Sequence, residues 1–236
     1  MVQLGRTRLN VSASADDLQR LRAHFDRHHC IRLPALLDTD MFGFIQSQME
    51  HAEFADKTHQ NIAVELCMRT NSALSLLYFL TNDRKFFELV QQLTGCDRIG
   101  CFLGRVYRMV PGAGHYDSWH SDADGHRMIG MSVNLSPHMY TGGVFQLRER
   151  RATEIVTEAV NTGAGDAILF RIADHVVHRV TGVEGTVPKT AFAGWFVSEP
   201  EFLSLLTPER VEAARGGEQG SSDRTVAQGN GGDGQR

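Results

Sequence analysis

The chain has 236 residues, of which 42% are hydrophobic and 22% charged, with a formal net charge of −4. That is enough for one domain with a substantial core, and it offers no electrostatic case for nucleic acid or an anionic membrane surface as partner. No apolar run is long enough to span a bilayer, and residues 1–10 (MVQLGRTRLN) lack the apolar stretch of a signal peptide, so a cytoplasmic location is expected.

Ser14 followed by Asp17 reads as a capping box, opening a helix over residues 14–28 with Leu18, Leu21 and Phe25 at helical spacing. Residues 30–37 (CIRLPALL) form a short apolar segment, a strand broken at Pro34. Asp38 or Thr39 can cap a second helix through Met41, Phe44, Ile45 and Met49. Residues 53–71 are polar without a clear period and are expected to be a surface loop. Two further helices are expected over residues 71–80 and 83–93, with Gly95 placed for a C-cap. The four cysteines, Cys30, Cys67, Cys96 and Cys101, form no Cys-x-x-Cys pair. Reduced, mostly buried thiols are therefore expected rather than disulfides or a zinc ribbon.

From Ile99 the texture changes to strands. Residues 99–110 are the first. Residues 128–135 alternate most cleanly, with Ile129, Met131, Val133 and Leu135 against Gly130, Ser132 and Asn134. Gly142 and Gly143 turn into residues 144–147, and residues 155–160 come next. Gly163 to Asp166 then turn into residues 167–172, ahead of residues 175–180 and 190–197. Short strands with turn signals between them, and no long helix interrupting, suggest a jelly roll or barrel rather than a parallel sheet. The predicted fold class is α+β: a double-stranded β-helix (jelly roll) core with N-terminal helices packed on one sheet. Residues 1–98 are expected to be a mainly helical support region. Residues 99–215 would hold the core and a short C-terminal helix over residues 198–215, with Thr207-Pro208 as cap and first helical position. Residues 216–236, rich in Gly, Ser, Gln and Asp, read as a disordered tail.

The chemistry points to one stretch, residues 116–122 (YDSWHSD). On a strand, His120 and Asp122 at i and i+2 leave the same face. With a second histidine they would make a 2-His-1-carboxylate triad, which suits Fe(II) and leaves open positions. There are three His-x-Asp pairs: His24/Asp26, His115/Asp117 and His120/Asp122. The first lies in a helical pattern, where i and i+2 diverge. His175 and His178 are both candidates for the distant histidine.

The ordered set His120, Asp122, His178 and Lys189 resembles the Fe(II)/2-oxoglutarate-dependent dioxygenases, within them the prolyl-4-hydroxylase-like branch. That family carries His-x-Asp, a second histidine downstream, and then Arg or Lys on the last core strand. Trp195 and the Gly142-Gly143 pair fit the same pattern, and the resemblance covers residues 99–197. It selects His120 over His115, because the alternating strand comes directly after Trp119-His120-Ser121-Asp122, and His178 over His175, by the distance to Lys189. It implies that His120, Asp122 and His178 hold Fe(II), with 2-oxoglutarate and O2 as cosubstrates. It further implies that Lys189 grips the distal carboxylate of 2-oxoglutarate, with Tyr107 as a second partner. Ser132 and Asn134, on the polar side of the cleanest strand, are expected to line the cavity.

The expected reaction is hydroxylation of an unactivated C–H bond, with 2-oxoglutarate decarboxylated to succinate. Because Asp122 is present, halogenation is not expected, whereas desaturation or ring closure stays open. Candidate lids are residues 53–71 and 122–127. The substrate could be a small molecule, carrier-bound or peptidyl, and a homodimer stays open. Arg127, Arg148, Arg150 and Arg151 could meet an acidic substrate group, although a solvated face accounts for most of them. Two competing readings are a cupin-like metalloenzyme that does not use 2-oxoglutarate and a non-catalytic jelly-roll binding module.

Overall fold

The structure, a computed structural model, describes residues 2–6 and 9–205. A short ribbon of β1 (Val2–Leu4) and β2 (Leu9–Val11) precedes α1 (Ala15–His28). The capping box forms as read: Asp17 N–H donates to Ser14 Oγ at 3.2 Å, and Ser14 N–H donates to Asp17 Oδ2 at 3.0 Å. Next come β3 (Cys30–Leu33) and α2 (Thr39–Met49), the latter capped by Asp38. The antiparallel hairpin of β4 (Phe54–His59) and β5 (Ala63–Met68) leads to α3 (Ser72–Thr81), capped by Asn71, and α4 (Arg84–Thr94). The last of these ends at Gly95, which takes the left-handed φ of 64° that a C-cap needs.

The rest is almost all strand: β6 (Cys101–Met109), β7 (Tyr116–Asp117), β8 (Arg127–Asn134), β9 (Thr141–Gly142) and β10 (Phe145–Glu149). After them come β11 (Ile155–Ala159), β12 (Ala167–Arg171), β13 (Val176–Val180), β14 (Val183–Glu184) and β15 (Lys189–Val197). The main sheet runs β3-β12-β8-β15-β6-β5-β4, with β7 pairing off β5. A smaller sheet, β11-β10-β13, faces it, and every pair is antiparallel. This is the jelly roll with helices on one sheet that the strand pattern suggested.

The alternation on β8 explains how the layers are filled. Ile129, Met131 and Val133 are buried in one apolar cluster with Phe25 of α1, Leu77 of α3, Phe86 of α4 and Phe192 of β15. The small and polar face, Gly130, Ser132 and Asn134, therefore turns inward between the two sheets. A polar face is usually the wet face of an antiparallel sheet; here it lines the interior of the roll. A second cluster, Phe145, Leu147, Ile168, Phe170 and Val176, closes the space between the sheets.

Two expectations are corrected. Residues 53–71 are mostly the hairpin β4–β5 rather than a loop, and they extend the main sheet through Leu66↔Arg108 and Cys67↔Tyr107. The apolar alternation is hidden because the buried inward position is a carboxylate, Glu65, while edge strand β4 carries exposed Asp56 and Lys57. Residues 1–98 also give three strands to the main sheet, so they are structurally continuous with the core: residues Met1–Glu201 form one compact unit. Of the C-terminal helix expected after residue 198, the described part is α5 (Phe202–Leu205). Thr207-Pro208 and residues 216–236 lie outside the described residues.

Candidate metal centre and its cavity

His120 sits just before β8 and His178 in the middle of β13, 58 positions apart in sequence by their numbers. Their backbones exchange both hydrogen bonds: His120 N–H to His178 O at 3.0 Å and His178 N–H to His120 O at 2.9 Å. Directly opposed residues of an antiparallel bridge project their side chains to the same side, and the two imidazole centroids lie 4.4 Å apart. Asp122, two residues on, faces both rings. Its Oδ1 is 3.6 Å from His120 Nε2 and its Oδ2 is 3.4 Å from His178 Nε2.

One ligand atom from each of the three residues lies within 4.8 Å of the other two. His120 Nδ1 is 2.8 Å from the Ser118 carbonyl, an acceptor, so Nδ1 carries the proton and the Nε2 lone pair faces the group. The Trp195 indole N–H donates to Asp122 Oδ2 at 2.6 Å. Burial alone would raise the Asp122 carboxyl. His178, the indole and His120 outweigh it and hold the group well below the usual carboxylate range. Two neutral imidazole nitrogens and one ionised carboxylate, all three side chains at most 15% exposed, form a donor set that fits a ferrous ion.

The rival residues are used differently. His115 Nδ1 accepts from Val110 N–H at 2.9 Å. Asp117 Oδ2 accepts from Val180 N–H at 2.8 Å, and its Oδ1 is 3.3 Å from His120 Nδ1. Burial pushes its carboxyl up, opposed by His120, His178 and the Val180 amide. His175 packs its ring against His29, 6.0 Å away, outside the group. Trp119 is flanked by Arg148 and Arg179, at 4.6 and 4.7 Å, and Arg150 donates to the Asp174 carbonyl. Of the four arginines considered for an acidic substrate, Arg127 lines the cavity.

A cavity of about 250 Å³ opens from these donors into the roll. Lys189, Tyr107 and Ser132 line it; Asn134 does not. The Asn134 amide is used in structure instead, Nδ2 donating to Gly163 O at 2.8 Å and Oδ1 accepting from Ser136 N–H at 3.1 Å. Lys189 is 3% exposed. Its ammonium donates to Gly143 O at 2.9 Å and has no carboxylate salt bridge among the described residues. Burial lowers it to about 8, with Asp117 opposing. The Gly143 carbonyl reaches it through a turn in which Gly142 and Gly143 both have positive φ, 73° and 59°. Burial likewise holds the Tyr107 phenol far above its ordinary range.

Three cavity residues escaped the sequence reading. Asn161 is buried; its Nδ2 donates to Ser132 O at 3.1 Å, and its Oδ1 has no partner. Glu65, on the unrecognised hairpin, pairs with Arg105 across β5 and β6. Asp117 stood in the sequence only as half of a rival motif.

Residues 104–197 match the family model described as the 2OG-Fe(II) oxygenase superfamily. No curated protein matches the chain in sequence. Among solved structures, an oxidoreductase of the 2OG-Fe(II) oxygenase family from Burkholderia pseudomallei aligns with TM-score 0.58 and 14% identity, over 85% of this chain and 98% of that one. A Pseudomonas putida prolyl-4-hydroxylase gives 0.57 and 16% identity over 77% and 99%. A Trichoplax adhaerens prolyl hydroxylase in complex with a hypoxia-inducible-factor peptide fragment gives 0.56 and 14% over 86% and 98%. At such identities these structures speak to the fold alone. Residues 104–197 are thus similar to the 2OG-Fe(II) oxygenase superfamily, a family of oxidoreductases that work with Fe(II), 2-oxoglutarate and O2.

Proposed function

We propose that this protein is a hydroxylase that inserts oxygen into an unactivated C–H bond, with His120, Asp122 and His178 holding Fe(II) and Lys189 holding 2-oxoglutarate. The observation that carries the reading is the Lys189 ammonium. It is buried, lines the same cavity as the three donors, and has no salt-bridge partner among the described residues. An uncompensated buried cation is costly; the distal carboxylate of a bound dicarboxylate would compensate it. This favours a 2-oxoglutarate enzyme over a cupin-like metalloenzyme without that cosubstrate, or over a binding module with incidental histidines.

When bound, the iron supplies the oxidising chemistry, with 2-oxoglutarate decarboxylated to succinate. The chain's own residues do the rest. Lys189 and Tyr107 fix one end of the cosubstrate. His120 keeps its proton on Nδ1 against Ser118 O, so Nε2 stays a donor to metal. Phe145, Ile168, Phe170 and Val180 make an apolar wall that keeps water from the reacting C–H. The carboxylate at position 122 supports hydroxylation as the outcome. The substrate is a small molecule, or a group on a carrier or peptide that reaches the cavity. Neither nucleic acid nor a membrane is among the partners proposed.

The test is anaerobic addition of Fe(II) and then 2-oxoglutarate, following the visible charge-transfer band of their complex. The wild-type protein should develop the band. His120→Ala and His178→Ala should lose it, and Lys189→Ala should need much more 2-oxoglutarate. Retention of the band in both histidine variants would overturn the ligand assignment.

A further inference from the structure

Away from the histidines and Lys189, the cavity has a third polar wall. It lies where β5 and β6 run side by side, Cys67 opposite Tyr107, which brings the Arg105 side chain to Glu65. The Glu65 side chain is 6% exposed and its contacts crowd onto one oxygen. Oε1 accepts from Arg105 Nε, lies 3.1 Å from His59 Nε2 and is 3.4 Å from Cys67 Sγ. Arg105 gives Nε to this carboxylate; the Cys67 sulfur, a weak acceptor, is a second polar neighbour, and the guanidinium carbon lies 5.6 Å from the centre of the Tyr107 ring. No oxygen acceptor among the described residues takes its terminal N–H groups, although the residue lines the cavity.

A guanidinium clamped along one edge by a buried carboxylate is fixed in direction. Its remaining edge is a flat fork of donors, the shape that carboxylate and phosphate oxygens accept in pairs. Lys189, opposite Met109 and so four positions along β6 from Arg105, already provides a cation for the cosubstrate, so the cosubstrate does not need this one. Arg127, the other cavity arginine, is committed: it stacks on the Trp195 ring at 3.8 Å and lies 3.9 Å from Asp122 and 3.7 Å from Asp124. His59, Glu65 and Cys67 also have ligand atoms within 4.8 Å of one another. A cation there would, however, meet a guanidinium on the same carboxylate oxygen, and the Cys67 thiol, pushed up to about 11 by burial and by Glu65, would have to ionise. The site suits an anion better than a metal.

We propose, resting on the oxygenase reading above, that Arg105 is a substrate-recognition residue whose terminal N–H groups bind a carboxylate or phosphate on the substrate, with Glu65 and His59 holding it in position. The substrate class is therefore a small molecule, or the end of a larger one, that carries an anionic group beside the C–H bond to be oxidised.

The experiment uses the full chain loaded with Fe(II) and 2-oxoglutarate without oxygen. Three anionic probes (hexanoate, N-acetyl-L-leucine and phenyl phosphate) are compared with neutral counterparts (hexanamide, N-acetyl-L-leucinol and phenol) by their effect on the charge-transfer band and by ligand-observed NMR. The expected result is that at least one anion binds about tenfold or more tightly than its counterpart, as a pair of charge-assisted hydrogen bonds implies. Which anion binds separates carboxylate from phosphate. Removing Arg105 alone strands a buried carboxylate and risks the fold, so the key variant is the neutral pair Glu65→Gln/Arg105→Gln, with Arg105→Lys as the conservative control. The neutral pair should keep its 2-oxoglutarate affinity and lose the preference for the anion; Arg105→Lys should keep part of it. Three results would overturn the proposal: no anion bound by the wild-type protein, an equal preference in the neutral pair, or a fall in 2-oxoglutarate affinity in the neutral pair with its anion preference intact. Absence of the band in the wild-type protein would instead sink the oxygenase reading itself.

Discussion

Trp195 and Asp122 are joined by a 2.6 Å hydrogen bond from the indole N–H to Oδ2. The donor is on the last strand of the main sheet and the acceptor on the segment before β8, so the bond sets the rotation of the carboxylate. With Oδ2 engaged, Oδ1 is the less encumbered oxygen. Trp195→Phe keeps an aromatic ring for Arg127 to stack on and removes the donor. It should weaken Fe(II) or Mn(II) binding by roughly 10- to 100-fold, as loss of an outer partner of a metal ligand does, with little change in melting temperature. Metal titration followed by isothermal calorimetry measures it. Unchanged affinity would mean that packing, rather than the indole N–H, orients Asp122.

Lys189 gives a pH dependence with a definite sign. Burial lowers its folded-state value from 10.5 to about 8, so above that pH the free protein holds a neutral amine. A bound dicarboxylate favours the ammonium and draws a proton in. Affinity for 2-oxoglutarate should therefore fall as pH rises above about 8, with proton uptake on binding, which calorimetry in buffers of different ionisation enthalpy detects. Lys189→Arg, charged throughout, should lose this dependence.

The same group should cost the empty protein stability. Between the folded and unfolded values, the unfolded chain binds more protons, so stability rises with pH from about 8 to 10.5 and the penalty is fully present below 8. Lys189→Met removes a buried charge of similar length. It should raise the melting temperature of the metal-free protein at neutral pH, on the order of 1–3 kcal/mol of stability, while abolishing 2-oxoglutarate binding. A destabilised Lys189→Met protein would show that the ammonium is better compensated than its Gly143 contact suggests.

Asp117 acts on position rather than chemistry. Its carboxylate accepts the Val180 amide, two residues beyond His178, and faces the His120 ring. Asp117→Asn retains an acceptor for Val180 and should fold normally. Asp117→Ala leaves that amide unpaired, at about 1–3 kcal/mol, and lets β13 move relative to residue 120. Metal affinity should therefore drop more in the alanine variant than in the asparagine one. Denaturant melts and metal titration of both variants separate the two effects.

The Glu65–Arg105 pair should be coupled. Glu65→Gln and Arg105→Gln singly each strand a partner, so each should destabilise more than expected from the double variant. A double-mutant cycle should return an interaction of about 0.5–3 kcal/mol. Additive effects would mean that the pair is solvated in the free protein.

The legible parts were those whose neighbours in sequence are also their neighbours in space. Ser14 with Asp17, Asp38, Asn71 and Gly95 mark helix ends by local hydrogen bonding, and the helices begin or end there. The alternation on residues 128–135 marks a strand, although not which side is inside: helices cover the apolar face, so the polar one is enclosed. Asn134 shares that enclosed face with Ser132, yet the turn at Gly163 takes its amide, a long-range contact that spacing cannot reveal. Glu65 was illegible for a related reason. Its inward carboxylate breaks the apolar alternation of β5, and only the distant Arg105 makes its burial tolerable. Choosing His178 over His175 needed a family resemblance, because the backbone bridge to His120 is a tertiary fact.

The two ends of the cavity are carried on different parts of the sheet. Lys189, on β15, is hydrogen-bonded into the middle of the main sheet, whereas Glu65 sits on the outlying hairpin beside an edge strand. Changes in that hairpin would alter what the far wall accepts while leaving the central strands undisturbed. On the proposed reading, a lineage built on this plan can retune how Arg105, itself on β6, is held by rewriting a peripheral ribbon, with the strands that carry His178 and Lys189 inherited intact.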